Sequence, residues 1–294
     1  MIPPRSLLFV PGTRPDRMEK GAESGADALI LDLEDSVPPA EKSSARENVR
    51  QFLEADPGVP TYVRIESIAT SFYEQDIDAV VRPGLTGLVL SKLEDEAYLM
   101  DVDRRVAALG PERGLDPESV VLLPMIESAL GIRRIYDTLA SQPRAAGVGF
   151  SGAEDGDLYG DLGATWTPAG TELLYARSKT VLDGRAAGAE LIIDGVFARL
   201  DDDEAFLADT QQGQRLGFTG RFAIHPRQVG VINDVYTPSP EQVAYYERLL
   251  DEYRRAGEAA IRYEGRLVDE AMAAKAQRML DLAARPGASS EGRR

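Results

Sequence analysis

Two apolar runs in this sequence each lead into a carboxylate: Val120 to Met125 is followed by Glu127, and Val148 to Phe150 by Asp155. Two oxygen donors at the ends of neighbouring strands can hold one hard divalent cation from one side. The rest of its coordination is left to water and an oxygen-rich small molecule. That pattern points to Lewis-acid chemistry. Other strand-like runs end in the same way. Asp32-Leu33-Glu34-Asp35 follows one, Arg64 and Glu66 close another, and Lys92, Glu154, Asp194 and His225 stand after four more. Together they make a ring of acids with one Arg and one Lys, suited to a metal ion and an oxo-acid at once. Asp35 counts among its substrate-facing members.

Each of these residues also has an ordinary structural reading. Acids at loop starts cap helices, and Asp35 and Asp194 fit that role as well as a site role. Lys92 is either a solvated loop residue or the Schiff-base lysine of a metal-free aldolase, although nothing near it in sequence depresses its pKa. His225 fits a structural histidine that closes the fold.

The elements that must position these residues alternate along the chain. Short β-type runs cover 6–10, 28–33, 61–65, 87–91, 120–125, 147–150, 190–194 and 221–225, most of them continuously apolar, as buried parallel strands are. Between them lie amphipathic helical patterns such as 14–25, 40–56 and 95–109. Thr171 to Gly188 reads as a further helix with Leu173, Leu174, Val181 and Leu182 on one face. This alternation predicts an α/β fold, a TIM (β/α)8 barrel over residues 1–236, in preference to a doubly wound sheet, which usually has fewer strands. The texture changes at Tyr236. Residues 237–284 read as a C-terminal helical extension, with helices over 241–259 and 269–284, and 285–294 as a small, polar, disordered tail.

Composition narrows the function. The chain has 294 residues, 43% hydrophobic and 28% charged, enough for a sizeable core. A net charge of −16 argues against nucleic acid or anionic membrane as partner. No apolar stretch is long enough to span a bilayer. An anionic substrate therefore needs a local basic patch, and Arg5, Arg14, Arg17 and Lys20 supply one near the start. Without cysteine there are no disulfides, thiolate metal sites or cysteine nucleophiles, and a cytoplasmic location is expected. One histidine excludes a zinc site built from several imidazoles.

The blocks RSLLFVPG, LILDLEDSV, YVRIES, LLPMIES, GVGFSGAED, GRFAIHPRQV and YTPSPEQV follow one another in an order that resembles the citrate lyase β-subunit-like proteins. Those belong with the malyl-CoA and citramalyl-CoA lyases in the HpcH/HpaI aldolase superfamily. The resemblance covers nearly the whole chain. It implies a TIM barrel assembled as a trimer or a dimer of trimers, and Mg2+-dependent chemistry (Mn2+ is an alternative) at a carbon–carbon bond next to a CoA thioester. It makes Glu127 a metal ligand that also lies against substrate, Asp155 the second metal ligand, and Arg64 the contact to the oxo-acid. Glu66 stands where the family more often has Asn. GDLYGDLGATW after Asp155 is a variant of the family's shorter stretch. Asp269, in GRLVDEAM, falls where CoA-using members place a catalytic Asp that reaches a neighbouring subunit; its own sequence context makes it equally a helix cap.

The resemblance thus implies a lyase that cleaves a β-hydroxyacyl-CoA into acetyl-CoA and an oxo-acid, with Arg5, Arg14, Arg17 and Lys20 facing the CoA phosphates. Three alternatives stay open: a citrate lyase β subunit using an acyl-carrier thioester, an aldolase of free hydroxy-oxo acids, and a non-catalytic oxo-acid-binding protein.

Overall fold

A computed structural model describes residues 3–257 and 259–284. Eight parallel strands alternate with helices. They are β1 (Ser6–Pro11), α1 (Pro15–Ala22), β2 (Ala28–Asp32), α2 (Lys42–Glu54), β3 (Thr61–Ile65), α3 (Tyr73–Val80), β4 (Gly87–Leu90), α4 (Glu96–Glu112), β5 (Val121–Ile126), α5 (Ala129–Ala140), β6 (Gly147–Phe150), α6 (Asp157–Leu162), α7 (Leu174–Ala186), β7 (Leu191–Asp194), α8 (Asp203–Leu216), β8 (Gly220–Ala223) and α9 (Pro226–Val235). The strands pair in sequence order and close into a barrel through β1 and β8, with Ser6 opposite Arg221. The expected (β/α)8 barrel is therefore the observed one.

Alternation along each strand decides what reaches the barrel mouth. Ala28 and Ile30 face the interior on β2, Tyr62 on β3, and Leu123 and Met125 on β5. The next inward positions are Asp32, Arg64 and Glu127, beyond the last apolar layer and at the C-terminal end of the barrel. The same parity corrects one expectation. Leu191 and Ile193 face inward on β7, so Asp194 faces the surrounding helices and leaves the ring. There it pairs with Arg177 at 2.5 Å and is 1% exposed.

The expected face of the helix after Thr171 is also corrected. A short 3-10 turn over Thr171–Leu173 precedes α7, whose buried residues are Ala176, Arg177, Thr180 and Gly184, while Leu182 is 68% exposed. Close packing selects the small residues: a Cβ on Gly184 would lie 3.1 Å from Ile192 and 3.2 Å from Val148. Arg177 is admitted to the interior because Asp194 and Asp209 take its charge.

A second compact unit begins at Asn233. It holds α10 (Pro240–Arg255), β9 (Ile261–Tyr263), β10 (Arg266–Val268) and α11 (Glu270–Ala283). Ser239 opens α10 with a reciprocal cap to Gln242. The extension is not purely helical. β9 and β10 form an antiparallel hairpin, Tyr263 opposite Arg266, turned by Glu264 and Gly265 at φ 45° and 81°. Two consecutive positive φ values are what a tight right-twisted hairpin requires. Leu249, Leu250, Tyr253 and Val268 pack with Ala273 and Ala276 as this unit's core. The tail expected over 285–294 lies outside the described residues. Among those described, no helix is long and apolar enough to cross a membrane.

Candidate active site at the barrel mouth

Arg64 is the hub of the mouth. Its Nε donates to Asp32 Oδ1 at 2.7 Å and its Nη2 to Asp32 Oδ2 at 2.8 Å, a two-point grip between planar groups. Its Nη1 lies 3.0 Å from Glu34 and 3.3 Å from Asp35, and its guanidinium stands 5.0 Å from the Phe9 ring centre. Asp32 also accepts the backbone N–H of Glu34 at 3.0 Å and of Ser36 at 3.1 Å. Those bonds fold the chain back after β2 and bring Glu34 and Asp35 to Arg64. Burial pushes the Asp32 carboxyl up, but Arg64 and these donors outweigh it and hold it below the ordinary carboxylate value. Glu34 goes the other way: burial raises it, and Arg64 does not fully offset that.

Lys42, buried at the start of α2, donates to the carbonyls of Leu33 at 2.6 Å and Glu34 at 2.8 Å. It also pairs with Glu66. Glu66 is thus accounted for by an ion pair that ties β3 to the loop after β2.

Lys92 follows β4 in a left-handed conformation, φ 52°. Its backbone N–H donates to Glu127 Oε1 at 3.1 Å, while its Nζ lies 3.3 Å from Glu34 and 3.4 Å from Asp157. Burial lowers its pKa, but Glu34, Asp35 and Asp157 outweigh burial and hold the ammonium charged. A charged ammonium argues against the Schiff-base alternative, which needs a neutral amine.

Glu127 is 5% exposed and sits between β5 and α5, which Ser128 caps by accepting the Gly131 N–H at 3.1 Å. Its carboxyl is pushed up to about 7, first by burial and then by Glu34. Glu127, Asp32, Asp35, Arg64 and Asp157 line one cavity of about 340 Å³, with Phe9, Met125, Phe150, Val196, Phe222 and Ile224 as its apolar walls.

Asp155, the expected second metal ligand, is not among the residues lining that cavity. It is exposed, in a turn at φ 57°, where the Gly156 N–H closes on the Ala153 carbonyl at 3.0 Å. The turn advances the chain by two residues and presents Asp157, the first residue of α6, to the cavity. The signal was in the sequence: Asp157-Leu158 opens a helical stretch within the unusual GDLYGDLG block.

The basic set divides. Arg14, Arg17 and Lys20 line a neighbouring groove of about 450 Å³ with His225, and the groove shares Phe9, Pro11 and Ile224 with the mouth cavity. Arg14 is paired with exposed Asp16 at 2.9 Å. Arg5 does not join them. It precedes β1, at the barrel end opposite the mouth, is 4% exposed, and is held by Asp27 at 2.8 Å. His225 is exposed, and its Nδ1 accepts the Arg227 N–H at 3.2 Å at the start of α9. It therefore shapes a loop at the groove instead of closing a core. Glu154 is bound by Arg199 at 2.6 Å, which stacks over Trp166 at 4.0 Å.

In the second unit Asp269 is the N-cap of α11, accepting the Met272 N–H at 3.1 Å, and is exposed. Sequence reasoning placed Asp32 and Glu34 in the ring without seeing that they hold Arg64, and it overlooked Lys42. The first two stand in the DLED block beside Asp35, but their bonds to Arg64 cross between strands.

The HpcH/HpaI aldolase/citrate lyase family model matches residues 5–226. The citrate lyase subunit beta of Leuconostoc mesenteroides is 34% identical over 95% of this chain and 93% of its own. The L-malyl-CoA/beta-methylmalyl-CoA lyase of Cereibacter sphaeroides is 34% identical over 94% of this chain and 93% of its own. A crystal structure of CitE from Mycobacterium tuberculosis in complex with magnesium, acetoacetate and coenzyme A aligns over 97% of this chain and 99% of that one, with TM-score 0.76 and 28% identity.

Proposed function

The chain belongs to the HpcH/HpaI aldolase/citrate lyase family, and from that premise we propose that its barrel mouth is the active site of a Mg2+-dependent carbon–carbon lyase acting on a β-hydroxyacyl-CoA. One observation carries the reading: Glu127 and Asp157 face a single cavity of about 340 Å³ that Arg64 also lines. The donor set fits a hard cation. Both ligands are carboxylates, and burial and Glu34 raise the Glu127 carboxyl to about 7, as a buried anion awaiting a counter-charge is raised. Among the described residues no three acids or histidines converge as a cage, so the remaining positions fall to water and substrate. A Mg2+ ion held by these carboxylates would supply Lewis-acid polarisation of substrate oxygens.

The chain's own groups do the rest. Asp32, Glu34 and Asp35 fix the Arg64 plane so that a remaining N–H meets the oxygen on which charge develops. The apolar walls exclude water. Arg14, Arg17 and Lys20 face the CoA phosphates. In cleavage the substrate hydroxyl gives its proton to a water molecule at the mouth, and the carbon–carbon bond breaks. Its electron pair stays on the thioester side as an enolate, and the oxo-acid leaves. Asp269 of a neighbouring copy delivers a proton to the enolate carbon, giving acetyl-CoA; the hydroxyl proton balances the one delivered. The assembly that brings Asp269 to a neighbour, a trimer or a dimer of trimers in the cytoplasm, is part of the same proposal.

The test is an assay of the purified chain with malyl-, citramalyl- and citryl-CoA, with Mg2+ and with chelator. Metal-dependent release of acetyl-CoA from at least one thioester is expected. No cleavage of any, or cleavage unaffected by chelation, overturns the reading. Turnover of an acyl-carrier thioester alone reassigns the chain as a complex subunit.

A further inference from the structure

Lys42 does not line the mouth cavity, but its ammonium governs a residue that holds Arg64. It is buried at the start of α2. An ammonium has three N–H donors, and three acceptors surround this one: the carbonyls of Leu33 at 2.6 Å and Glu34 at 2.8 Å, and the carboxylate of Glu66. Glu66 is itself pinned. Its backbone N–H donates to Asp76 Oδ2 at 3.0 Å, and its carbonyl accepts the Tyr98 hydroxyl at 3.1 Å. Asp76 is buried in α3 and pairs with Arg46 at 3.0 Å, and Tyr98 is buried in α4. Glu66 is thus presented from a frame of β3, α3 and α4, and Lys42 joins that frame to the loop after β2.

That loop delivers Glu34, whose buried carboxylate serves two cations. Oε2 lies 3.0 Å from Arg64 Nη1, and Oε1 lies 3.3 Å from Lys92 Nζ. Asp32 grips the loop by its N–H groups, at Glu34 and Ser36; Lys42 grips it by its carbonyls. A buried ion pair adds little net stability, because desolvation offsets the attraction. What this one adds is a fixed place for Glu34. We propose that Lys42 is a positioning residue for the reaction: anchored by Glu66, its ammonium fixes Glu34 between Arg64 and Lys92, and so sets the plane in which Arg64 meets substrate. The inference deepens the lyase reading and rests on the role that reading gives Arg64. Loss of the ammonium acts on charge that develops in the reaction, and so on kcat. The thioester phosphates lie in the groove of Arg14, Arg17 and Lys20, which Lys42 does not line, so KM is spared.

The test compares Lys42→Met and the double variant Lys42→Met/Glu66→Met with wild type. Three quantities are read: kcat and KM for the thioester that wild type cleaves, the unfolding temperature, and native-state amide hydrogen exchange at Glu34 and Ser36, with the amides of α10 as control. Lys42→Met leaves the Glu66 charge buried and is expected to lower the unfolding temperature; the double variant holds neither charge and is expected to recover much of that loss. In both, kcat is expected to fall about a hundredfold, the scale of a group displaced by about 1 Å, with KM nearly unchanged. Exchange at Glu34 and Ser36 is expected to rise about tenfold or more in both, with α10 unaffected. Wild-type kcat in the double variant reduces Lys42 to a counter-charge for Glu66 and overturns the proposal, as does unchanged exchange at Glu34 and Ser36. If wild type cleaves no thioester, exchange still decides: a rise confined to that loop leaves Lys42 as the group that fixes Glu34, and the lyase reading alone falls.

Discussion

Lys92 holds Glu127 with its backbone, not its side chain. The amide donates to Oε1 at 3.1 Å from a left-handed φ of 52°, and the ammonium turns instead to Glu34 and Asp157. A side chain at positive φ costs stability that glycine avoids. Lys92→Gly and Lys92→Met both delete the ammonium, but only the first relieves the backbone. Lys92→Gly is therefore expected to be the more stable of the two by about 1 kcal/mol, read from urea unfolding. Equal stabilities would mean that φ carries no strain there.

The two candidate aspartates make opposite predictions. Asp157→Asn and Glu127→Gln are expected to weaken Mg2+ binding, measured calorimetrically, by at least the roughly 10–100-fold that even loss of an outer-shell partner costs. Asp155→Asn should leave it nearly unchanged, because Asp155 is exposed and absent from the cavity lining. Loss of binding in Asp155→Asn alone would restore the pair expected from sequence.

Asp269 caps α11, and its two possible duties separate cleanly. Asparagine caps as well as aspartate but cannot move a proton. Asp269→Asn is expected to unfold at the wild-type temperature with turnover reduced about a hundredfold or more. Asp269→Ala is expected to lose the turnover and about 1 kcal/mol of stability as well. Wild-type turnover in Asp269→Asn would leave Asp269 with the cap alone.

Acid stability should depend on Asp209. It pairs with Arg177 at 2.8 Å and with Arg221. Burial pushes its carboxyl up, but Arg221 and Arg177 outweigh burial and hold it below the ordinary value. A carboxyl depressed in the folded state stabilises above its unfolded pKa, about 3.9. It loses that contribution as pH falls through the lower folded value. Asp209→Asn is expected to cost about 3 kcal/mol near neutral pH by leaving two buried guanidinium groups to share Asp194. The gap to wild type should shrink as pH falls below about 3.9 and through the lower folded value. A pH-independent gap would show that Asp209 contributes through shape and not charge.

The barrel was legible because its signal is local. Continuous apolar runs such as Val121–Ile126 can be buried on both faces only in a parallel sheet, and eight of them separated by amphipathic helices leave few topologies. Glu127, Arg64 and Asp32 could be placed at strand ends for the same reason. The hairpin between α10 and α11 was missed because three-residue strands give too short a period to read. The α7 face was misjudged because a partner network, not hydrophobicity, buries Arg177.

By itself the sequence determined the architecture, the family and the end of the molecule where chemistry collects, since strand period and apolar layering are properties of consecutive residues. Only the tertiary structure decided which acids meet. Asp155 and Asp157 are alike in type and two residues apart, and across a turn closed by the Gly156 N–H it is Asp157 that lines the cavity. The pairing of Arg64 with Asp32 and the removal of Asp194 to the helix side follow likewise from side-chain direction. That direction is fixed by barrel closure and cross-strand contact, neither of which is written in local composition.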